Sequence, residues 1–231
     1  MIRAILFDLD DTLYPSNSGV MDQIRLQMMC YLCTRLHLTP EEADELRRDY
    51  FLTYGTTMRG LQINHDIDAD EYLAFVHDIR LENHLQPNNE LDAVLAGIRQ
   101  QKVVFTNASR EHAEAVLAVL GIRSHFDRVV DIRDMDYESK PVATAYGRIC
   151  ELLGLEPAEC ILVEDNVRNL EPAKKAGMVT VLVAGSAGGQ KNPAPDIVDH
   201  VLSRVEEIGH VLETIGAAGE QTALRTDRAA G

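Results

Sequence analysis

Apolar positions change their spacing along this chain, and each change marks a new kind of element. Ala4-Ile5-Leu6-Phe7 is a continuous apolar run that passes straight into acidic residues. Such a run, rich in strand formers and ended by a loop, predicts a strand over residues 3–8 with both faces buried. From Met21 the period becomes helical: Met21, Ile24, Met28, Tyr31, Leu32 and Leu36 recur at steps of three and four. Thr39-Pro40-Glu41-Glu42 reads as a helix start, with Thr39 at N-cap, Pro40 at N1 and Glu42 at N3. That helix carries Ala43, Leu46 and Tyr50 and runs towards Gly55. Gly55-Thr56-Thr57 and Gly60 read as a turn region. Asp68-Ala69-Asp70-Glu71 opens a further helix with Tyr72, Leu73 and Val76 on its apolar side.

Strands and helices then alternate. A helix over 88–101 leads to the strand Lys102-Val103-Val104-Phe105, which ends in Thr106-Asn107. Ser109 can cap a helix from Arg110 to Leu120, closed by Gly121. Val129-Val130-Asp131 is a short strand, and Pro141 to Leu153 is a helix stopped by Gly154. Cys160-Ile161-Leu162-Val163 is another buried strand and runs into Glu164-Asp165. A helix from Asn169 to Ala176 and a strand over 179–183 follow, and residues 196–215 supply a last strand and helix. This alternation predicts an α/β fold: a doubly wound, Rossmann-like parallel sheet. Residues 16–85 interrupt it as an inserted all-helical cap domain, so the core is expected over 1–15 and 86–215. The tail 216–231 has no apolar periodicity and reads as disordered.

Composition narrows the partners. The chain has 231 residues, 45% of them hydrophobic, and a net charge of −15. That charge argues against duplex nucleic acid and anionic membranes as partners. No stretch reaches the roughly 20 apolar residues of a bilayer span. The N-terminus runs into a strand without a basic region or cleavage site, so no signal peptide is expected and the location is read as cytoplasmic. Cys30 and Cys33 form a C-x-x-C inside a helical pattern and, with Cys150 and Cys160, read as buried thiols of a reducing compartment. Met21, Met28 and Met29 read as packing inside the cap. An acidic chain that handles an anion must build a local positive site.

The candidate chemistry lies where the strands end. The first strand delivers Asp8, Asp10 and Asp11, the second Thr106 and Asn107, a later loop Lys140-Pro141, and another strand Glu164-Asp165. In a parallel sheet these all reach one carboxyl edge, where open α/β sheets bind ligands. Carboxylates this close need a compensating cation, and Mg²⁺ takes a few carboxylate oxygens while keeping its waters. Carboxylates, a metal, one Lys and one hydroxyl are what phosphoryl transfer requires, because that chemistry is mostly positioning and charge neutralisation. An Asp can also attack phosphorus itself.

Those four motifs, in this order, resemble the phosphatases of the haloacid-dehalogenase superfamily, and the resemblance covers about residues 3–210. It implies that Asp8 is the nucleophile and Asp10 the general acid and later base. It further implies that Asp8, the Asp10 carbonyl and Asp165 hold Mg²⁺, with Glu164 behind them or as an alternative ligand. Thr106, Asn107 and Lys140 would bind the phosphate. Dehalogenases proper lack a second Asp two residues after the nucleophile, so Asp10 argues for phosphate chemistry. Within the cap, Tyr54-Gly55, Arg59-Gly60-Leu61, His65-Asp66-Ile67-Asp68 and Glu71-Tyr72 resemble the pyrimidine 5′-nucleotidase branch. Glu164-Asp165 stands where that branch often has Asp-Asp. The resemblance implies a small phosphate ester as partner, a nucleoside monophosphate such as UMP or CMP, with Arg59, Thr56 and Thr57 as cap contacts. Phosphoglycolate or a sugar phosphate is the alternative substrate. A receiver-like Mg²⁺-binding module is the non-enzymatic alternative; the helical insert argues against it.

Overall fold

The structure is a computed structural model and describes residues 1–185 and 196–215. Six strands form one wholly parallel sheet: β1 (Ala4–Phe7), β2 (Gln101–Phe105), β3 (Arg128–Val130), β4 (Cys160–Glu164), β5 (Val179–Val183) and β6 (His200–Leu202). Their order is β3-β2-β1-β4-β5-β6. The chain winds outward from β1 through β2 to β3, then crosses back to place β4 on the other side of β1. The order therefore reverses between β1 and β4, and a crevice opens there at the carboxyl ends. Register brings Phe7 level with Val104 of β2 and Val163 of β4. Asp8, the next residue, leaves the sheet at the centre of that edge and still donates its N–H to the Val163 carbonyl at 2.9 Å.

All four β1 residues are fully buried. Burial on both faces explains the continuous apolar run, since Ile5 and Phe7 join one core cluster and Ala4 and Leu6 the other. α5 (Asn89–Gly97), α6 (Arg110–Leu120) and the helix over 208–215, α9, cover the first face; α7 (Ala143–Leu153) and α8 (Val167–Ala176) cover the second.

Between β1 and α5 lie four helices: α1 (Val20–Arg35), α2 (Pro40–Tyr54), α3 (Thr57–His65) and α4 (Ala69–Val76). Tyr31, Leu32, Ala43, Leu61, Tyr72 and Leu73 form the centre of their own cluster, which takes Ile132 from the sheet side. Val20 and Ile24 at the start of α1 pack instead into the first sheet cluster, so this helix ties the insert to the sheet. The capping box at Thr39 and Glu42 is formed as the sequence implies.

The expected turn around Gly60 is instead α3. Thr56 caps it by accepting from the Arg59 N–H, and Gly60 sits inside the helix. The reason is a close approach. A Cβ at Gly60 would lie 2.3 Å from Cγ of Tyr50, so only glycine lets α3 rest on α2 here. Gly55 ends α2 with φ +87°, a conformation that favours glycine, and a Cβ there would lie 2.9 Å from Ser139 Oγ and 3.2 Å from the Lys140 carbonyl. The cysteines are free, but Cys30 is exposed on the outer side of α1 and Cys33 is half-buried at the edge of the insert's cluster; among the four only Cys150 and Cys160 are buried. The expectation for 216–231 falls outside the described residues. Among the described residues no helix is long and apolar enough to cross a membrane.

Candidate active site

The strand ends converge as the order of elements requires. Lys140 reaches in from the loop before α7, and its side chain is 1% exposed. It donates to Asp8 Oδ1 at 2.6 Å and to Glu164 Oε2 at 2.8 Å. Thr12 donates its hydroxyl to the other Asp8 oxygen at 3.1 Å. Asn107 clamps the Lys140 backbone from both sides, its Nδ2 donating to the carbonyl at 3.0 Å and its Oδ1 accepting from the N–H at 2.8 Å. Its amide therefore serves Lys140, although the residue also borders the crevice. Thr106 accepts from the Ala108 N–H at 3.0 Å, which leaves its own hydroxyl proton for another acceptor.

Asp8, Glu164 and Asp165 each offer a carboxylate oxygen, and these oxygens all lie within 4.8 Å of one another. Burial, then the charge of Glu164, pushes Asp8 up to about 7 against the opposing pull of Lys140. Burial, then Glu164 and Asp8, pushes Asp165 up to about 10. Burial alone would lower Lys140, but Asp8 and Glu164 outweigh it and hold the ammonium above its usual range. One ammonium is thus short of balancing three carboxylates, and protons make up the difference. A divalent cation would displace those protons, so the oxygen-only donor set fits a hard metal ion.

Asp10 faces the same crevice with different partners. Tyr14 donates its hydroxyl to Asp10 Oδ1 at 2.5 Å, and His112 Nε2 lies 2.9 Å from the same oxygen. Burial pushes Asp10 up, but the charge and hydrogen bond of His112 and the hydroxyl of Tyr14 outweigh it and hold the carboxyl below its ordinary value. His112 stacks on His77 with ring centroids 4.3 Å apart.

The four-helix insert and these groups together line an open cavity of about 410 Å³. Thr56 and Thr57 line it, as do Met21, Met28, Phe51 and Met58. Met21 is therefore cavity wall and sheet-side packing, Met28 lines the cavity and packs against both the sheet cluster and the insert's cluster, and Met29 packs against the insert's cluster alone. Thr56 and Thr57 also have structural tasks: Thr56 caps α3, and Thr57 donates to the Arg47 carbonyl at 3.3 Å. Arg59 is not brought to this cavity. The Thr56 cap sets the phase of α3 so that Arg59 lines an adjoining cleft with Arg168 and Ser139.

Arg47, Tyr14, His77 and His112 escaped the sequence reading as site residues, and Tyr72 entered it only as apolar packing and in the Glu71-Tyr72 resemblance. The one usable signal was His112, a titratable residue on the apolar face of a helix that begins beside Thr106-Asn107.

The chain matches the profile described as haloacid dehalogenase-like hydrolase over residues 2–177. It is 23% identical over 239 residues to an N-acylneuraminate-9-phosphatase of Rattus norvegicus, covering 93% of this chain and 95% of that one. It is 27% identical over 223 residues to the pyrophosphatase PpaX of Bacillus velezensis, covering 91% and 96%. A solved HAD phosphatase from Thermococcus onnurineus superposes with a TM-score of 0.62 at 21% identity, over 91% of this chain and 98% of that one, which shows a shared fold. With its strand-end carboxylates and lysine gathered at the switch point of the sheet, the chain belongs to the haloacid dehalogenase-like hydrolase family and stands with its phosphatases.

Proposed function

We propose that this protein is a Mg²⁺-dependent phosphomonoesterase that works through an aspartyl phosphate and prefers pyrimidine nucleoside 5′-monophosphates. The observation that carries the reading is Lys140, buried between Asp8 and Glu164 beside the cavity. Residues 16–85 would act as the cap that selects the substrate.

Asp8, Asp165 and the Asp10 carbonyl would hold Mg²⁺, which when bound neutralises phosphate oxygens and carboxylates together. Thr106 donates to one phosphate oxygen, and Lys140 sets the charge and orientation of Asp8. Asp8 attacks phosphorus through its carboxylate oxygen; the bond to the leaving oxygen breaks, and its electron pair accepts the Asp10 proton. Asp10 then takes a proton from water, whose oxygen displaces Asp8 from phosphorus and releases inorganic phosphate. The contacts that hold Asp10 ionised in the free site suit the second step. A phosphate dianion bound beside Asp10 raises its proton affinity and suits the first.

The cavity suits a small ligand, near the low end of the roughly 300–1,000 Å³ typical of such sites. Its apolar wall of Met28, Phe51 and Met58 can take a planar base. Arg47 supplies N–H donors on the same wall, which Tyr72 also lines. These donors match the ring carbonyl shared by uracil and cytosine; adenine lacks one. Arg47 is already paired with Asp44 at 2.8 Å, which favours a carbonyl partner over a second full anion.

The test is phosphate release from UMP, CMP, dTMP, AMP, GMP, phosphoglycolate and glucose 6-phosphate, with Mg²⁺, with chelator and with Asp8→Asn. Preference for UMP or CMP that disappears in both controls is expected. Turnover of phosphoglycolate alone would keep the chemistry and remove the nucleotide assignment. Absence of Mg²⁺-dependent turnover on every ester would remove both.

A further inference from the structure

We propose that His112 and Tyr14 form a two-donor clamp on Oδ1 of Asp10, which reserves Oδ2 as the oxygen that exchanges protons with the leaving group and with water. The proposal rests on the aspartyl-phosphate reading above and assigns two positioning residues that the sequence motifs do not contain.

Both donors converge on the same atom. Tyr14 Oη is 2.5 Å and His112 Nε2 is 2.9 Å from Oδ1, with Nε2 carrying its proton because the acceptor is a carboxylate. Oδ2 takes no hydrogen bond from a described residue, while the side chain keeps 20% exposure and borders the cavity. The torsion that exchanges the two oxygens of an Asp is broad and soft. Two donors fixed on Oδ1 stop that exchange and leave the bare oxygen facing the reacting groups.

The donors are themselves immobilised. Tyr14 is 2% exposed and packs in the sheet core beside Leu13 and Val20. His112 is 3% exposed and lies in the first turn of α6, where Ser109 accepts its backbone N–H. Its ring stacks on His77 at an interplanar angle of 16°. The Nδ1 atom of His77 bonds to Ser109 Oγ at 3.0 Å, which braces both rings. His112 Nδ1 is buried with no partner among the described residues, so Asp10 is the one polar contact of this ring. A buried polar atom left unpaired is costly. An apolar residue would fill the same place without that cost, so a role confined to packing does not account for a histidine here.

The clamp is tested with His112→Leu, His112→Gln and Tyr14→Phe, using one aryl and one alkyl phosphate ester that the wild-type enzyme turns over. Nitrophenolate leaves without a proton, whereas an alkoxide needs the Asp10 proton. For His112→Leu and Tyr14→Phe, kcat/KM on the alkyl ester should fall roughly 10- to 100-fold, a part of what a whole general acid contributes. On the aryl ester kcat/KM should change by less than about threefold. A pre-steady-state burst of nitrophenolate should appear, because the step that needs Asp10 as base slows. His112→Gln, which can return a donor near the Nε2 position, should recover much of the alkyl activity. An equal fall on both esters without a burst would make these residues packing only and overturn the proposal, as would no change on either. Asp10→Asn separates the two levels: if it does not itself distinguish the esters, the general-acid role given to Asp10 in the proposed function fails whatever the clamp does.

Discussion

Replacing Lys140 by Met keeps the length and packing of the side chain and removes its charge. The ammonium touches Asp8 at 2.6 Å and Glu164 at 2.8 Å, and all three groups are buried. Removing one partner from a buried pair costs about 3–5 kcal/mol, because the other charge is left without compensation. For a chain of this size each kcal/mol moves Tm by roughly 2–4 °C. Metal-free Lys140→Met at pH 8.5 should therefore melt about 6–20 °C below the wild-type protein. Asp8 makes the loss pH-dependent. Its folded value is already raised to about 7, and without Lys140 it rises further. A carboxyl raised in the folded state binds more protons folded than unfolded, so stability falls as pH climbs towards the raised value. At pH 6 Asp8 is mostly protonated in both proteins. Above pH 7 only the wild-type Asp8 gives up its proton freely, and the gap widens by about 1.4 kcal/mol per unit, or about 2 kcal/mol by pH 8.5. Melting by calorimetry in chelator at pH 6 and pH 8.5 measures this directly, and added Mg²⁺ should narrow the gap. A loss below about 3 °C at pH 8.5, or one equal at the two pH values, would refute the view that Lys140 is there to balance buried carboxylates.

Gly60→Ala should lower Tm, because overpacking against Tyr50 costs about 1–3 kcal/mol against at most about 1 kcal/mol of helix propensity; a rise in Tm would contradict the close approach of α3 to α2. His77 is pushed down to about 3 by burial and by the charge of His112. The unfolded chain then binds the extra proton between about pH 6.5 and 3, and stability drains away as pH falls through that window. His77→Asn should flatten this acid-side slope in equilibrium unfolding by up to about 1.4 kcal/mol per unit, and an unchanged slope would show that His77 does not carry it. Arg47→Ala should raise KM for UMP roughly tenfold, the loss of one hydrogen bond from a charged donor. Arg59→Ala, in the adjoining cleft, should change KM by less than about threefold; the reverse order would move the base to the other cleft.

Much of this protein was legible along the chain because its candidate site sits where strand periodicity stops. Ala4 to Phe7 had to be buried on both faces, so the acids after them had to emerge at a sheet edge. The Thr39 capping box and the closing Gly121 are local backbone devices and needed no tertiary context. The Gly60 turn was misread because a glycine that permits a close helix contact looks the same in sequence as one that ends a helix. Arg59 stood beside apparent motif residues, yet the phase of α3 sends it to a neighbouring cleft. His112, Tyr14 and Asp10 meet on one oxygen although Asp10 and His112 are 102 positions apart. No local period carries such a meeting; it exists only once β1 and α6 are packed on the same sheet. The amino-acid order by itself determined the parallel core, the four strand-end motifs and the helical insert, since each follows from spacing within a few residues. Tertiary structure alone decided which side chains share an oxygen, which line the cavity and which carboxylates crowd together, because those are distances between elements that the chain brings together only when the core closes.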